Sequence, residues 1–471
     1  MALVLNATSL FAQTYNILHN FGSISRDGYA PLTDLVLGSN TLYGTTASGG
    51  TNGNGTIYKI NADGNGYGII RSLTNSPSPE GGMVLIGNTL YGTMFTGGTN
   101  RNGNIFKINT DGSGFTEMHS FSATVPSIWG TNSDGNRPQG DLLTDGSTLY
   151  GTAQYGGTNG NGTVFKINTD GSGFTVIKTF SATFLGTNVI FGNPLVSGTN
   201  TDGSRPIGSL VLDGSTLYGT TYHGGTSNGV VFATQTDGSG YTVLKYFSSI
   251  SGALGAGTNS DGAAPIAGLT LNGDTLYGVA VGGGAGAGGS IFKLNTNGTR
   301  FVNLHDFLPN DGFFPRNTLL LNGSTLYGTT GAGGLSNKGT IFMIQTNGAD
   351  FKVLKHFDMS IGAQCDSKFV LSSNVLFGTA VDGGTNGGGV VFGLTVLPQI
   401  MSDANFGLQS NAFGFDLTGI SNQIAVIDAC SDLIIPNWLP LQTNTLTGGV
   451  FYFSDPQWTN YPGRFYRLRS P

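Results

Sequence analysis

Short apolar runs separated by glycine-rich turns dominate the chain, and one of them, Thr148-Leu149-Tyr150-Gly151-Thr152, returns in near-identical form along most of the length. Its Leu-Tyr-Gly core stands at Leu42, Leu90, Leu149, Leu217, Leu276 and Leu326, and once more, with phenylalanine for tyrosine, at Leu376. The spacings are 48, 59, 68, 59, 50 and 50 residues. Seven copies of one unit at this period, built from β-like segments, are the signature of a radial or stacked repeat architecture. Aligned on that core, each unit resolves into four strand-length segments bounded by turn residues. The first is Pro206-Ile207-Gly208-Ser209-Leu210-Val211-Leu212 and the second Thr216-Leu217-Tyr218-Gly219-Thr220. Gly162-Thr163-Val164-Phe165-Lys166-Ile167-Asn168 shows the third, and Phe174-Thr175-Val176-Ile177-Lys178-Thr179-Phe180 the fourth. Strict alternation puts Phe174 and Phe180 on one side of the fourth segment and Ile177 on the other. Both faces are then apolar, so the sheet must be covered on both, as a propeller blade is by its two neighbours.

The ends of the array carry the topology. Fourth segments start at Tyr15, Tyr67, Phe115, Phe174, Tyr241, Phe301 and Phe351, and the first of these precedes the first Leu-Tyr-Gly. The last unit runs through Val390-Val391-Phe392 and has no fourth segment after it. Residues 15–21 are therefore expected to pair with 389–394 as the outermost strand of the seventh blade, removing the open edges of a linear array. From Pro398 the repeat stops, and 413–417, 423–429, 438–443, 450–453 and 464–469 read as the strands of a small β-sandwich. That segment is near the lower limit for a self-sufficient core, so docking on the repeats is expected. The expected architecture is all-β: a seven-bladed β-propeller over 14–397, closed by its N-terminal outer strand, and then a β-sandwich over 398–471. Residues 1–13 are apolar and end in Leu10-Phe11-Ala12-Gln13, which reads as the remnant of an export signal without its basic start, or as a short strand-forming tail. No later run reaches the ~18 apolar residues of a membrane-spanning helix.

Composition narrows the function classes. With 38% hydrophobic and only 10% charged residues the chain has ample material for a core, and its 79 glycines, lacking a triplet period, suit many sharp turns between short strands. A net charge of -6 offers no broad basic surface for phosphate backbones, which argues against nucleic acid. The two cysteines, Cys365 and Cys430, exclude a disulfide framework; they read as two buried thiols, with a single bridge the other possibility.

The consensus Leu-Tyr-Gly-Thr-Thr-x-x-Gly-Gly-x-x-x-x-Gly-Thr-Ile-Phe-Lys-Ile-Asn-x-Asp-Gly-x-x-Phe-x-x-Leu-His-x-Phe resembles the GloVer (Gloeo/Verruco) tandem repeat family of exported bacterial proteins over about residues 15–397. The seventh copy departs with Phe377 for tyrosine and Cys365 for proline. The segment 413–471 resembles a C-terminal module common on secreted proteins of the same bacterial groups. The resemblance implies an exported or surface-associated β-propeller and carries no catalytic residue or substrate with it.

Candidate chemistry gathers where the second-to-third and fourth-to-first loops share one face. Three consecutive fourth-to-first loops, 122–133, 181–201 and 248–260, are expanded and supply Trp129, Phe184, Ile190 and Phe191. The neighbouring second-to-third loops add Phe95, Tyr155, Tyr222 and His223. Loops commonly carry recognition and exposed aromatics make good anchors, so a ligand site is expected at Trp129, Tyr155, Phe191, Tyr222 and His223, against the blander reading that the insertions pack on each other. Arg137 and Arg205 stand directly before proline in adjacent units and would clamp an anionic ligand toward the channel, or else pair with Asp134 and Asp202. Asp27, Asp134, Asp202, Asp261 and Asp311 precede glycine and read as turn formers; the ligand count per loop is too low for Ca²⁺. His19, His119, His305 and His356 are read as sharing one outer position of the fourth segment, with a packing role. No nucleophile motif, metal-ligand spacing or convergent carboxylate set stands out. The expectation is an exported monomeric scaffold that binds a glycan or protein without cofactor or metal; a hydrolase or lyase using top-face carboxylates is the other reading.

Overall fold

The computed structural model describes residues 13–74, 78–126, 130–182, 199–225, 228–251, 257–401, 405–469 and 471, together with the backbone of 2–4. The fold is all-β, with no α-helix among the described residues. Each Leu-Tyr-Gly copy lies in the second strand of an antiparallel sheet in which the four segments pair in chain order. In sheet four these are Val211–Asp213, Thr216–Thr221, Val230–Gln235 and Thr242–Tyr246. Seven such sheets follow one another, and sheet three gains a short extra strand, Asn136–Pro138, along the lengthened second strand Thr148–Tyr155. Sheet seven takes its fourth strand from the start of the chain. Tyr15–Asn20 lies antiparallel to Val390–Thr395, with Tyr15 opposite Leu394 and His19 opposite Val391, the pairing expected from the offset of the repeat.

The motif glycine is needed for close approach and not for a turn. A Cβ on Gly151 would sit 2.5 Å from Cζ of Phe165, whose ring lies across the glycine from the paired third strand. That ring is fully buried, so the glycine is the seat of a large core side chain.

The fourth strands are bulged, and the bulge overturns the alternation expected from sequence. Val164 pairs with Lys178 and Phe165 with Val176, which leaves Ile177 unpaired. An extra residue reverses the facing of every residue beyond it in the strand. Ile177 and Phe180 therefore both pack toward sheet four, while Phe174 packs toward sheet two. The same irregularity recurs from Ile17/His19 in sheet seven to Ile341/Phe342 in sheet six.

The bulge turns a basic residue onto the next sheet. His19 stacks on Tyr67 with ring centroids 3.5 Å apart, His119 on Phe174 at 3.6 Å and His305 on Phe351 at 3.7 Å. Arg71 lies 4.0 Å over Phe115, Lys178 4.2 Å over Tyr241, Lys245 4.4 Å over Phe301 and Lys355 5.2 Å over Tyr15. Each sheet thus touches its successor by one cation or imidazole on one ring, and the last two contacts bring the succession back to its start. His356 is not part of this set: Lys355 is the residue that pairs opposite Ile341, as His305 does opposite Ile291, and His356 stands one place further on.

Apolar packing repeats the succession. Tyr150, Val164 and Phe180 of sheet three pack on Leu217 and Phe232 of sheet four. Tyr327 and Ile341 of sheet six pack on Leu376 and Phe392 of sheet seven, and Phe377 and Val391 of sheet seven on Leu42 and Tyr58 of sheet one.

Beyond Pro398 the chain forms two further sheets. Ala412–Thr418 pairs with Val450–Asp455 on one side and with Gly407–Gln409 and Gln399–Ile400 on the other. The second sheet runs Ala2–Val4, Arg464–Arg469, Ile424–Cys430, Leu439–Thr445, with Ala2–Val4 parallel to its neighbour. Phe415, Ile427, Phe453 and Tyr466 form the core between them. Ile420 enters the core of sheets six and seven, Thr418 Oγ1 lies 3.0 Å from Thr325 Oγ1, and the Ser421 amide donates to Asn322 Oδ1 at 2.6 Å. Both cysteines are buried free thiols. Burial pushes Cys365 up to about 12.

Candidate functional site

The stretch that leads from the proline, or from Cys365 in sheet seven, into the first strand lines one central cavity of about 220 Å³, largely through alternate residues. Two rings result from the alternation. The outer ring holds Glu80, Gln139, Arg316 and Asp366 among apolar neighbours, and the inner one holds Asp34, Asp141, Ser209 and Thr318, with Lys368 next along from Asp34.

Asp34 and Asp141 come from sheets one and three yet meet side chain to side chain. Gly82 of the intervening sheet makes this possible: a Cβ there would lie 2.6 Å from Asp141 Oδ1 and 2.9 Å from Asp34 Cβ. The Gly82 amide donates to Asp141 Oδ1 at 2.6 Å and the Lys368 amide to Asp34 Oδ1 at 2.6 Å. Burial and then the neighbouring Asp141 hold Asp34 well above the usual carboxyl range, against the opposing pull of Lys368. Burial also pushes Glu80 up to about 7, although Arg137 works the other way. Asp366 is raised by burial too, with Arg316 Nη1 at 3.6 Å from its Oδ2 as partial compensation. Its Oδ1 is buried without a hydrogen-bond partner among the described residues.

In five sheets the residue before the proline adopts a left-handed backbone, with φ of 54° at Ala30, 58° at Arg137, 57° at Arg205, 57° at Ala264 and 58° at Phe314, and Gln364 before Cys365 does the same at 55°. Non-glycine residues rarely take this conformation, and less readily still before proline. It lets each amide reach the preceding sheet: Arg137 donates to Asn102 O and Arg205 to Asn161 O, both at 2.8 Å. The rim is therefore a chain of sheet-to-sheet backbone bonds that carries side chains at its turning points.

Two of those side chains are the arginines singled out in the sequence. Arg137 Cζ lies 4.9 Å over Phe95 and 6.0 Å from the centre of Tyr155, and Arg205 Cζ lies 5.2 Å from the centre of the same Tyr155 ring. Tyr155 is buried between them and acts as their support instead of an open stacking face. The Tyr222 and His223 rings lie tilted against each other with centroids 3.9 Å apart, joined to the arginine loop by the Tyr222 amide donating to Arg205 O at 3.0 Å. Trp129 and Phe191, like Phe184 and Ile190, lie outside the described residues.

The aspartates that could have paired with the arginines are otherwise engaged. Asp134 Oδ2 meets His119 Nε2 at 3.0 Å and Asp202 Oδ2 meets Lys178 Nζ at 2.6 Å, and both accept from the Ser122 or Ser181 amide and hydroxyl. Asp27 holds His19, Tyr67 and two amides in the same manner. These aspartates do more than shape turns: each ties the fourth strand of one sheet to the loop that leads into the next.

The expectation that no carboxylates converge is corrected by the cavity. Asp34, Glu80, Asp141 and Asp366 occupy variable places in the Pro-x-Gly-x-Leu segment, and each looks like an isolated surface substitution in its own copy. The signal was available only by reading the x positions around all seven copies together.

A family model described as the Gloeobacter/Verrucomicrobia repeat matches residues 8–193 and 253–411. The chain belongs to this repeat family. None of the curated proteins matches this Gloeobacter/Verrucomicrobia repeat protein in sequence. Among solved structures it is similar to an oligogalacturonate lyase from Vibrio parahaemolyticus, at 12% identity and a TM-score of 0.50, over 82% of this chain and 94% of that one. It is also similar to the extracellular domain of a putative one component system from B. thetaiotaomicron, at 12% identity and a TM-score of 0.49, over 88% of this chain and 46% of that one. The β-propeller domain of the Trilobed protease from Pyrococcus furiosus matches at 9% identity and a TM-score of 0.43, over 78% of this chain and 95% of that one. At such identities the likeness concerns the fold. In the repeat protein no helix is long and apolar enough to cross a membrane among the described residues.

Proposed function

We propose that the protein is an exported or cell-surface binding scaffold: a seven-bladed β-propeller over 14–397, followed by a docked β-sandwich over 398–471. Support for the ring comes from the seven successive basic-on-aromatic contacts, the last of which, Lys355 on Tyr15 and His19 on Tyr67, join the two ends of the repeat. The ligand is a glycan or a protein segment held on the channel face, with no cofactor or metal and with the scaffold acting as a monomer.

One observation carries the site: the ladder Phe95, Arg137, Tyr155, Arg205 at the rim, continued by Tyr222 and His223, with Trp129 and Phe191 assigned to the same arc from the sequence. Guanidinium groups stacked on rings lose little freedom when they bind an anion or a polar edge. The sequence expands three fourth-to-first loops on adjacent repeats, and a wall on one side only would favour a cleft over a symmetric mouth. Screening the protein on an array of neutral and acidic glycans, followed by calorimetry, tests the assignment. Arg137→Ala and Arg205→Ala are each expected to weaken binding about tenfold, or ~1.4 kcal/mol, at an unchanged melting temperature. Full affinity in both variants would reject the site.

Hydrolase or lyase chemistry is the second reading, favoured by Glu80 alone. A general acid or base works best when its pKa is near the working pH, and Glu80 stands at about 7 on the cavity wall. Release of reducing ends from any glycan that binds, abolished in Glu80→Gln, would move the conclusion to an enzyme.

A further inference from the structure

We infer that Asp34 and Asp141 share a single proton as a clasp across the wall of the central cavity, so that alkalisation releases sheet one from sheet three and loosens the channel.

The chemistry is set by the contact. Two carboxyl groups hydrogen-bond to each other only while one of them is protonated, because two carboxylates present acceptors alone. The backbone holds them together whatever their charge. Asp141 is fixed by the Gly82 amide and Asp34 by the Lys368 amide, each at 2.6 Å, and the Asp141 amide is in turn anchored on Ser209 Oγ at 3.0 Å. Four sheets therefore converge on one carboxyl pair: seven through Lys368, one through Asp34, two through Gly82 and three through Asp141. Losing the proton leaves two like charges in contact in the cavity wall.

Sheets one, two, three, six and seven bring charged residues to the cavity wall. Lys368 of sheet seven pulls Asp34 toward ionisation; nearby, Arg316 of sheet six lies 3.6 Å from Asp366 of sheet seven, and Arg137 of sheet three acts on Glu80 of sheet two. Sheets four and five present uncharged residues, among them Ile207, Ser209, Ile266 and Gly268. Burial and the mutual contact prevail over Lys368, since Asp34 stays above the usual carboxyl range. In the unfolded chain both residues ionise near the ordinary value of about 4. A carboxyl raised in the folded state contributes its full stability below that value and loses it as pH rises through the raised one.

The clasp differs from the rim in residues and in readout, so failure of the ligand assignment leaves it untouched. The test is the melting temperature from about pH 5 to about pH 9, a span that begins above the ordinary carboxyl value, for the full chain and for Asp141→Asn and Asp34→Asn, whose amides donate the clasp hydrogen bond without a titrating proton. The wild type is expected to lose melting temperature relative to both variants as pH rises, and parallel profiles overturn the inference. Infrared spectroscopy covers the case in which the variants fold poorly. In wild-type protein a protonated-carboxyl carbonyl band, retained in Glu80→Gln, is expected at neutral pH and should vanish with alkalisation; its absence at neutral pH overturns the inference as well.

Discussion

Gly151 and Gly82 show how much of this protein depends on side chains that are missing. At Gly151 the absent Cβ makes room for the buried Phe165 ring, and at Gly82 it makes room for two carboxyl groups from other sheets. Gly151→Ala forces a methyl to within 2.5 Å of Phe165 Cζ in a core that has no slack. Overpacking of this kind costs about 1–3 kcal/mol, so a lower denaturant midpoint at constant slope is expected in equilibrium unfolding; an unchanged midpoint would mean that the ring moves freely aside. The repetition of Leu-Tyr-Gly was plain in the sequence, but its cause was not, because the ring that needs the space belongs to another strand. The same holds for Glu80 and Asp34, whose protonation depends on burial that no local pattern encodes.

At the scale of the element, the strand Tyr15–Asn20 and the bulge in every fourth strand do most to organise the packing. The strand was legible because seven fourth segments and seven Leu-Tyr-Gly copies are out of step at both ends of the array. Its removal leaves Phe392 and Phe357 without Tyr15, which stacks on the first at 5.1 Å and meets the second edge-on at 6.2 Å. Deleting residues 1–21 is expected to lower the melting temperature by at least several degrees, whereas deleting 1–12, which spares the strand, should do much less. Equal melts for the two truncations would reject the pairing. The bulge was not legible, and strict alternation puts Phe174 and Phe180 on one face on account of it. A bulge inserts a residue without changing composition or spacing, so period-two alternation carries no trace of it. The facing of Lys178 onto Tyr241 shows that the strand has turned over.

At the scale of the whole molecule, the C-terminal sheets are bound to sheets six and seven by a buried polar seam and one apolar anchor. Thr418 accepts from Gln345 Nε2 at 3.2 Å, Lys352 Nζ donates to the Ile400 carbonyl at 3.2 Å, and Ile420 sits in the neighbouring core. Ile420→Asp places an unpaired charge in that core, where it costs several kcal/mol unless the module detaches. Calorimetry is expected to resolve one cooperative transition in the wild type and two in the variant; a single transition in the variant would show that the anchor is dispensable. By itself the sequence determined the number of repeats, the four-strand unit, the displaced first strand and the change of pattern at Pro398. Each of these is written in turn residues and alternation, which act between neighbours in the chain. The tertiary structure alone decided that Asp34 meets Asp141 over Gly82, that Glu80 is held near neutrality, and that Arg137 and Arg205 share Tyr155. These contacts join residues from different repeats whose local surroundings are almost the same, so what distinguishes them is which copy stands next to which around the cavity.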